Sequence, residues 1–140
     1  MQFVCDAPGH KTWFRIETEA EAEAEAQLMR HAVDKFFVRE YAAAAESYRP
    51  RPGAAVSEQH IGRKEHIART MPLFLTLRAD DGEGLATAML PPEGKDDPRC
   101  RIIIVGANNA DPYVAHADAI KALGDKYGIV LKRERCFPYG

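Results

Sequence analysis

The sequence predicts an α+β fold, a single two-layer domain over residues 1–140 in which helices cover one face of a mixed, mostly antiparallel sheet. Two pairs of apolar strand patterns are each separated by turn residues, which is typical of antiparallel hairpins. A long helical pattern follows the first pair. A strand, a turn, a helix and a further strand pattern close the chain, and strands joined by a helix are expected to be parallel.

Length and composition are those of a small globular protein. The chain has 140 residues, of which 46% are hydrophobic and 29% charged, and its net charge is -2. This balance gives no general attraction to nucleic acid or anionic lipid. No apolar run approaches the roughly 20 residues that a membrane-spanning helix needs, and the first residues lack the pattern of a signal peptide. Three widely spaced cysteines suit a reducing compartment, so we expect a cytoplasmic protein with no membrane association.

Both hairpins are predicted from short apolar runs around turn residues. Residues 3–4 and 12–16 are rich in aromatic and β-branched residues, and the Ala-Pro-Gly-His turn at 7–10 lies between them. Residues 73–78 and 85–90 flank an acidic, glycine-containing turn at 80–84. Residues 91–98, rich in proline and charge, are expected to form an exposed loop.

One long helix is predicted over residues 18–47. Glutamate and alanine alternate at its start, but both are strong helix formers, and Thr18 with Glu21 forms a capping box. A straight helix of this length would measure about 45 Å, whereas a compact chain of this size is about 35–40 Å across. The helix must therefore overhang, kink or pack on a partner, and the Glu-Ala end is expected to overhang. Residues 49–53 form a stiff linker, and 57–69 is either a short helix or an irregular crossover.

The C-terminal part predicts a β-α-β unit. Residues 101–105 are β-branched and unbroken, as in a strand that is covered on both faces. After the turn at 106–110, Asp111 is an N-cap residue followed by Pro112 at the first helical position. Gly128 ends this helix, and residues 129–135 are predicted to run as a strand parallel to 101–105.

The turn after residues 101–105 is the first candidate ligand site. Backbone N–H groups at the start of the following helix favour anions, and Asn108 and Asn109 add side-chain donors. Asp111 completes the candidate ligand-binding set, although it competes for the same donors. The alternative is a plain strand-to-helix turn, in which Asn and Gly occur because they tolerate positive φ.

A metal site is the second candidate. Cys5 and His10 have the spacing of half a zinc site, which Cys100 or Cys136 would have to complete. Three reduced cysteines and a turn histidine are the alternative that we favour. We therefore predict no metal ligands and no cofactor.

Catalysis has little support in the sequence, which contains no known nucleophile or metalloprotease motif. His31 lies within one helical turn of Asp34 and Lys35 and could pair with either, although a solvated helix face is the simpler interpretation. If the chain is an enzyme, we expect its site at the turn 106–111, with His116 or His10 as the acid or base.

Nucleic-acid binding would rest on the basic stretch at 49–69. Its cations are Arg49, Arg51, Arg63, Lys64 and Arg69. Such a cluster could contact phosphates, but glutamates are interleaved with it and the chain is acidic overall, so nucleic acid is not the expected partner.

Self-association has the strongest support. The apolar residues Phe36, Phe37, Val38 and Tyr41 make a wider surface than one core-facing stripe needs, because Val38 falls off the stripe. We predict that these four residues lie at an interface in a homodimer, and that another protein partner could use the same surface. The apolar C-terminal residues 137–139 could also dock on a neighbour.

The sequence therefore favours a binding or regulatory interaction module that self-associates. Two alternatives stay open. One is a small enzyme or ligand-binding protein with its site at 106–111, and the other is a nucleic-acid-associated protein that uses 49–69.

Overall fold

The computed structural model describes residues 1–139, over which the chain forms five strands and four helices. Within that range no helix is both long and apolar enough to cross a bilayer. In chain order the elements are β1 (Gln2–Ala7), β2 (Lys11–Ile16), α1 (Glu19–Met29), α2 (Val33–Glu46), α3 (Val56–Thr70), β3 (Leu73–Ala79), β4 (Gly84–Leu90), β5 (Ile103–Val105) and α4 (Tyr113–Tyr127). The predicted α+β class is confirmed, as are the two hairpins β1–β2 and β3–β4.

The five strands form one antiparallel sheet in the order β1-β2-β3-β4-β5. Each strand therefore pairs with the strand before it in the sequence. The prediction of a mixed sheet with a parallel β-α-β pair is wrong, because residues 129–135 do not form a strand.

Helices cover both faces of this sheet, so the predicted two-layer arrangement is corrected to three layers. On one face, α4 packs its buried residues Ala119, Ile120 and Leu123 against Leu75 and the other inward side chains of β2 to β4. The indole N–H of Trp13 donates to the carbonyl of Ala119 at 2.8 Å, which fixes α4 over β2. On the other face, α1 and α2 bury a second cluster, in which the rings of Phe37 and Phe74 pack at a tilt with 5.2 Å between their centroids.

The predicted long helix is in fact two helices. The capping box of Thr18 and Glu21 starts α1 as expected, but α1 ends at Met29 because Arg30 adopts a left-handed conformation with φ 55°. The reversal lets α1 and α2 both lie on the sheet, where a straight helix would have run past its edge. The Glu-Ala end does not overhang, since its small alanines bring α1 close to the strands.

Gly84 makes this close approach possible. A Cβ atom at Gly84 would lie 2.6 Å from the sulfur of Met29 and 2.9 Å from a methyl carbon of Leu28. The last turn of α1 therefore rests directly on the start of β4, which places the residues after α1 beside the sheet.

The C-terminal segment packs on α4 instead of extending the sheet. Ile129 and Leu131 are buried in the α4-side core, and Arg133–Arg135 forms a single 3-10 turn. The Tyr113 hydroxyl donates to the carbonyl of Leu131 at 2.9 Å, which holds this segment away from the sheet edge. Phe137 takes the edge instead, where it forms one parallel bridge to Ile103.

The ambiguous segment 57–69 forms helix α3. It packs on the residues that follow α2, through Gly62, whose missing side chain leaves room for the Tyr48 hydroxyl, and through a 2.6 Å hydrogen bond between Ser47 and His66. None of the fifteen residues of α3, all of which the structure describes, is buried. This helix is therefore the least enclosed part of the fold.

Candidate functional site

A cavity opens between the first turn of α2 and the β4–β5 edge of the sheet. Its volume is about 100 Å³. A closed apolar cavity of ~150 Å³ in an engineered protein core holds benzene, so this cavity, with its open mouth, has room for about one ring. The cavity lies on the α1–α2 face of the sheet, opposite α4.

Most of the cavity wall is apolar. The apolar lining comprises Ala32, Val33 and Phe36 from the start of α2; Phe74, Ala88 and Met89 from β3 and β4; Ile103 and Val105 from β5; and Phe137 from the C-terminal segment. The guanidinium of Arg101 lies over the ring of Phe137, 4.7 Å from its centroid, and supports that ring at the rim. Such a wall favours the apolar part of a small molecule.

Polar side chains are confined to two places in the cavity. Asn109 is exposed at the mouth, whereas His31 and Thr87 line the wall. Thr87 is only 4% exposed, and its hydroxyl oxygen lies 2.8 Å from Nε2 of His31. The two residues come from different layers, the α1–α2 connection and β4, and meet because α1 ends close to the sheet.

A buried carboxylate lies behind Thr87. The Glu25 side chain is fully buried, accepts a hydrogen bond of 2.5 Å from the Thr87 hydroxyl and forms an ion pair of 2.6 Å with Arg78. Arg78 also donates to the hydroxyl of Thr76 at 3.0 Å. A buried charge is stabilised only when its lone pairs are satisfied, and here both carboxylate oxygens have a donor.

The hydrogen-bond pattern assigns the protons of this network. Thr87 has one hydroxyl proton, which points to the Glu25 carboxylate, so the Thr87 oxygen must accept from His31. His31 therefore carries its proton on Nε2. Its other ring nitrogen, Nδ1, is free to accept and faces the backbone N–H of Val33 at 3.4 Å.

The surroundings of His31 favour its neutral form. Burial lowers the pKa of its imidazole below the ordinary value of 6.5, and the neighbouring Glu25 and Asp34 carboxylates offset only part of this effect. The neutral Nδ1 also provides a hydrogen-bond acceptor for the first turn of α2, because the N-cap residue of that helix, Ala32, has no side-chain acceptor. The imidazole thus joins the first turn of α2 to the buried polar network.

The arrangement suits binding better than nucleophilic catalysis. In a catalytic triad the histidine stands between the hydroxyl and the carboxylate and removes the hydroxyl proton. Here Thr87 stands between His31 and Glu25, and its proton is already committed to the carboxylate. The network can orient a ligand, but His31 cannot activate Thr87 as a nucleophile in this geometry.

The structure brings only one of the predicted turn residues to the cavity. Asn108 and Asn109 both adopt left-handed backbone conformations, with φ 57° and 59°, as the alternative of a plain turn requires. Asn109 reaches the cavity mouth, while Asn108 is not part of the cavity wall. Asp111 accepts from the backbone N–H of Tyr113 at 2.9 Å and pairs with Arg133, and these two contacts lower the pKa of its carboxyl group. Asp111 therefore lies just before α4, whose N-cap position is Pro112, so the predicted N-cap at Asp111 with Pro112 as the first helical residue is off by one position.

The four predicted interface residues have different environments. Phe36 lines the cavity, and the guanidinium of Arg39 lies 4.7 Å from its ring centroid. Phe37 is only 5% exposed and belongs to the core, so its assignment to an interface is corrected. Val38 and Tyr41 are 43% and 46% exposed, as an interface requires.

The other candidate residues do not assemble into a site. His116 lies in α4, on the opposite face of the sheet from the cavity, and its Nδ1 contacts Nζ of Lys11 at 2.9 Å. Among residues 1–139, no group of three His, Cys, Asp or Glu side chains is placed to hold a metal ion. In the basic stretch, Arg51 pairs with Glu58, and Arg49 donates to backbone carbonyls.

Sequence reasoning missed the buried network. Glu25 stands in a run in which every second residue is glutamate, so its composition gives no signal. The spacing of Glu25 relative to its apolar neighbours does give a signal, because Ala22, Glu25 and Met29 share one helical face and all three are buried. The solvated helix face expected for His31, with Asp34 or Lys35 as possible partners, is replaced by a partly buried position in contact with Thr87, which depends on the break after α1.

Comparison with known proteins gives no relative, since no family model, curated protein or solved structure matches this chain.

Proposed function

We propose that this chain is a binding module for a small, mainly apolar molecule, which occupies the cavity between α2 and the β4–β5 edge. The observation that supports this most directly is the meeting of an apolar cavity with a buried, fully hydrogen-bonded polar network at His31 and Thr87. Apolar walls supply affinity, and a few fixed polar groups supply orientation. This proposal develops the ligand-binding alternative from the sequence, in which the site lay at 106–111: it keeps Asn109 and moves the rest of the site to the cavity.

The buried ion pair behind the cavity also supports a binding role. A buried ion pair such as Glu25 with Arg78 stabilises a fold little in comparison with well-packed apolar residues. Its presence directly behind a cavity is better explained by the positioning of His31 and Thr87. Fixed side chains reduce the ordering cost of binding, which is the advantage of a preorganised site.

Filling the cavity mouth should abolish binding. Ala32 is exposed and lines the cavity, so Ala32→Trp places an indole in the mouth without disturbing the core. The matched control is Ala43→Trp, on an exposed position of α2 outside the cavity wall. We expect single-ring fragments to bind the natural chain with an affinity on the order of millimolar and to shift the amide signals of His31 and Thr87 in NMR spectra.

The Ala32→Trp variant should bind these fragments at least about tenfold more weakly, while Ala43→Trp should bind as the natural chain does. Fragments that shift only distant signals, or bind Ala32→Trp unchanged, would show that the cavity is not the site. Thermal unfolding of both variants controls for loss of the fold.

Self-association through the outer surface of α2 is a second candidate function. The observation that favours it is the exposure of three large apolar side chains on two helices that pack together, Val38 and Tyr41 on α2 and Ile61 on α3, which is 60% exposed. We propose that a second copy covers this surface, which would also enclose the sparsely buried α3. Tyr41→Glu should then convert a dimer into monomers in native mass spectrometry, whereas Glu40→Gln, one residue away, should not. A natural chain that is monomeric at micromolar concentration would refute this proposal.

A further inference from the structure

We propose that the group which enters this cavity is a single uncharged aromatic ring that carries a hydrogen-bond donor, with the donor directed at the Thr87 oxygen. This inference rests on the proposed binding function and adds the chemical class of the ligand. It follows from three properties of the cavity: its size and aromatic wall, the absence of a charged side chain from the described lining of that wall, and the distribution of its protons.

Size and shape favour one ring. The cavity volume of about 100 Å³ leaves no room for a fused ring system below the mouth. Phe36, Phe74 and Phe137 contribute aromatic surface from three different elements. Aromatic rings pack against one another in offset or edge-to-face arrangements that contribute beyond the buried area. A flat ring therefore gains more from this wall than an aliphatic group of equal volume.

Charge is disfavoured in the ligand. Among the described residues that form the wall, the one titratable side chain is His31, whose surroundings favour the neutral form. An anion would lose its hydration in the apolar cavity, and the Thr87 hydroxyl, whose proton is directed at Glu25, offers it no donor. A cation gains little from Glu25, because Arg78 already neutralises that carboxylate, and it would lose its hydration in the apolar cavity.

The positions of the protons in the network determine whether the ligand must donate or accept a hydrogen bond. The Thr87 proton is committed to Glu25, and the Nε2 proton of His31 is committed to Thr87. The Thr87 oxygen has two lone pairs, of which His31 occupies one. The polar end of the cavity therefore offers an acceptor and no donor. A phenolic hydroxyl or a ring N–H can use that acceptor, whereas a carbonyl or carboxylate would meet it with an unpaired oxygen.

The test measures the binding of phenol, toluene and benzoate to the full chain at pH 7 by NMR titration. Phenol and toluene differ only in a hydroxyl in place of a methyl group, and benzoate adds a charge. Two variants change the acceptor: Thr87→Val removes it, and Thr87→Ser keeps it. We expect the ratio of phenol affinity to toluene affinity to fall about fivefold in Thr87→Val, the contribution of one hydrogen bond, and to stay within about twofold in Thr87→Ser.

Benzoate should bind the natural chain at least about tenfold more weakly than phenol. An unchanged phenol-to-toluene ratio in Thr87→Val, or benzoate binding as tight as phenol binding, would overturn the assignment of ligand class while leaving the cavity as the site. Failure of phenol and toluene alike to bind would refute the proposed function itself. If Thr87→Val does not fold, the Nε2 chemical shift of His31 in the natural chain is measured instead. We expect phenol to change this shift and toluene to leave it unchanged. A shift that changes with toluene and not with phenol would refute the inference.

Discussion

Replacing Glu25 by alanine should lower the free energy of unfolding by about 3 kcal/mol, which urea denaturation can measure. The change removes a fully buried carboxylate and leaves Arg78 and Thr87 without their acceptor. A buried charge that loses its partner typically costs 3–5 kcal/mol. The lower end applies here, because the Arg78 side chain keeps 17% exposure and can recover some contact with water.

Glu23→Ala is the matched control for this prediction. Glu23 belongs to the same Glu-Ala run of α1 but is exposed, so its removal should change the stability by no more than about 0.5 kcal/mol. Adding Arg78→Met to Glu25→Ala should recover part of the loss, because no unpaired charge then remains. Equal effects of the two glutamate substitutions would contradict the burial of Glu25 and, with it, the network behind the cavity.

Replacing Phe37 by alanine should lower the free energy of unfolding by about 3–5 kcal/mol. The ring is 5% exposed and packs on Phe74 with its plane tilted by 59°. Its removal leaves a void between α2 and the sheet that neighbouring side chains can fill only in part. Loss of the aromatic pair adds to the loss of buried area.

Tyr41→Ala separates a core role from a surface role on the same helix. Tyr41 is 46% exposed, so its truncation should change the stability of the monomer by no more than about 0.5 kcal/mol. Urea denaturation at low protein concentration compares the two variants without a contribution from association. A Phe37→Ala variant that keeps its stability and loses only a dimer would return Phe37 to the interface that its sequence pattern predicts.

Local patterns in the sequence were enough to predict both hairpins and α4. Each hairpin is encoded by two apolar runs around a short turn, and α4 by the Asp111 carboxylate at its start and Gly128 at its end. These signals act over a few residues, so they do not depend on the rest of the fold. The same holds for the start of α1 at Thr18.

The break after α1 could not be predicted in this way. Arg30 is neither glycine nor asparagine, yet it adopts the left-handed conformation that ends the helix. The cause is tertiary, since the reversal lets Met29 and Phe37 bury their side chains on the same sheet face. Residues 129–135 show the same effect, because burial of Ile129 and Leu131 against α4 overrides their tendency to form a strand.

The candidate site was only partly predictable for the same reason. Asn109 belongs to a local turn and was identified, whereas the contact of His31 with Thr87 joins residues far apart in the sequence. Phe36 was identified as functional surface, but for an interface instead of a cavity wall. To tell an interface residue from a cavity-wall residue, one must know where the sheet lies against α2. The periodicity of the helix sequence does not carry that information.

The strand order determines how much loop-closure entropy the helical layer of α1, α2 and α3 requires. β2 and β3 are direct neighbours, yet α1, α2 and α3 all lie between them, in residues 17–72. Because loop-closure entropy grows only with the logarithm of length, this long connection costs about 2 kcal/mol more than a tight turn. Burial of one large apolar side chain such as Phe37 offsets that amount. A whole helical layer, including one wall of the cavity, thus fits within a simple antiparallel meander at little cost in loop-closure entropy.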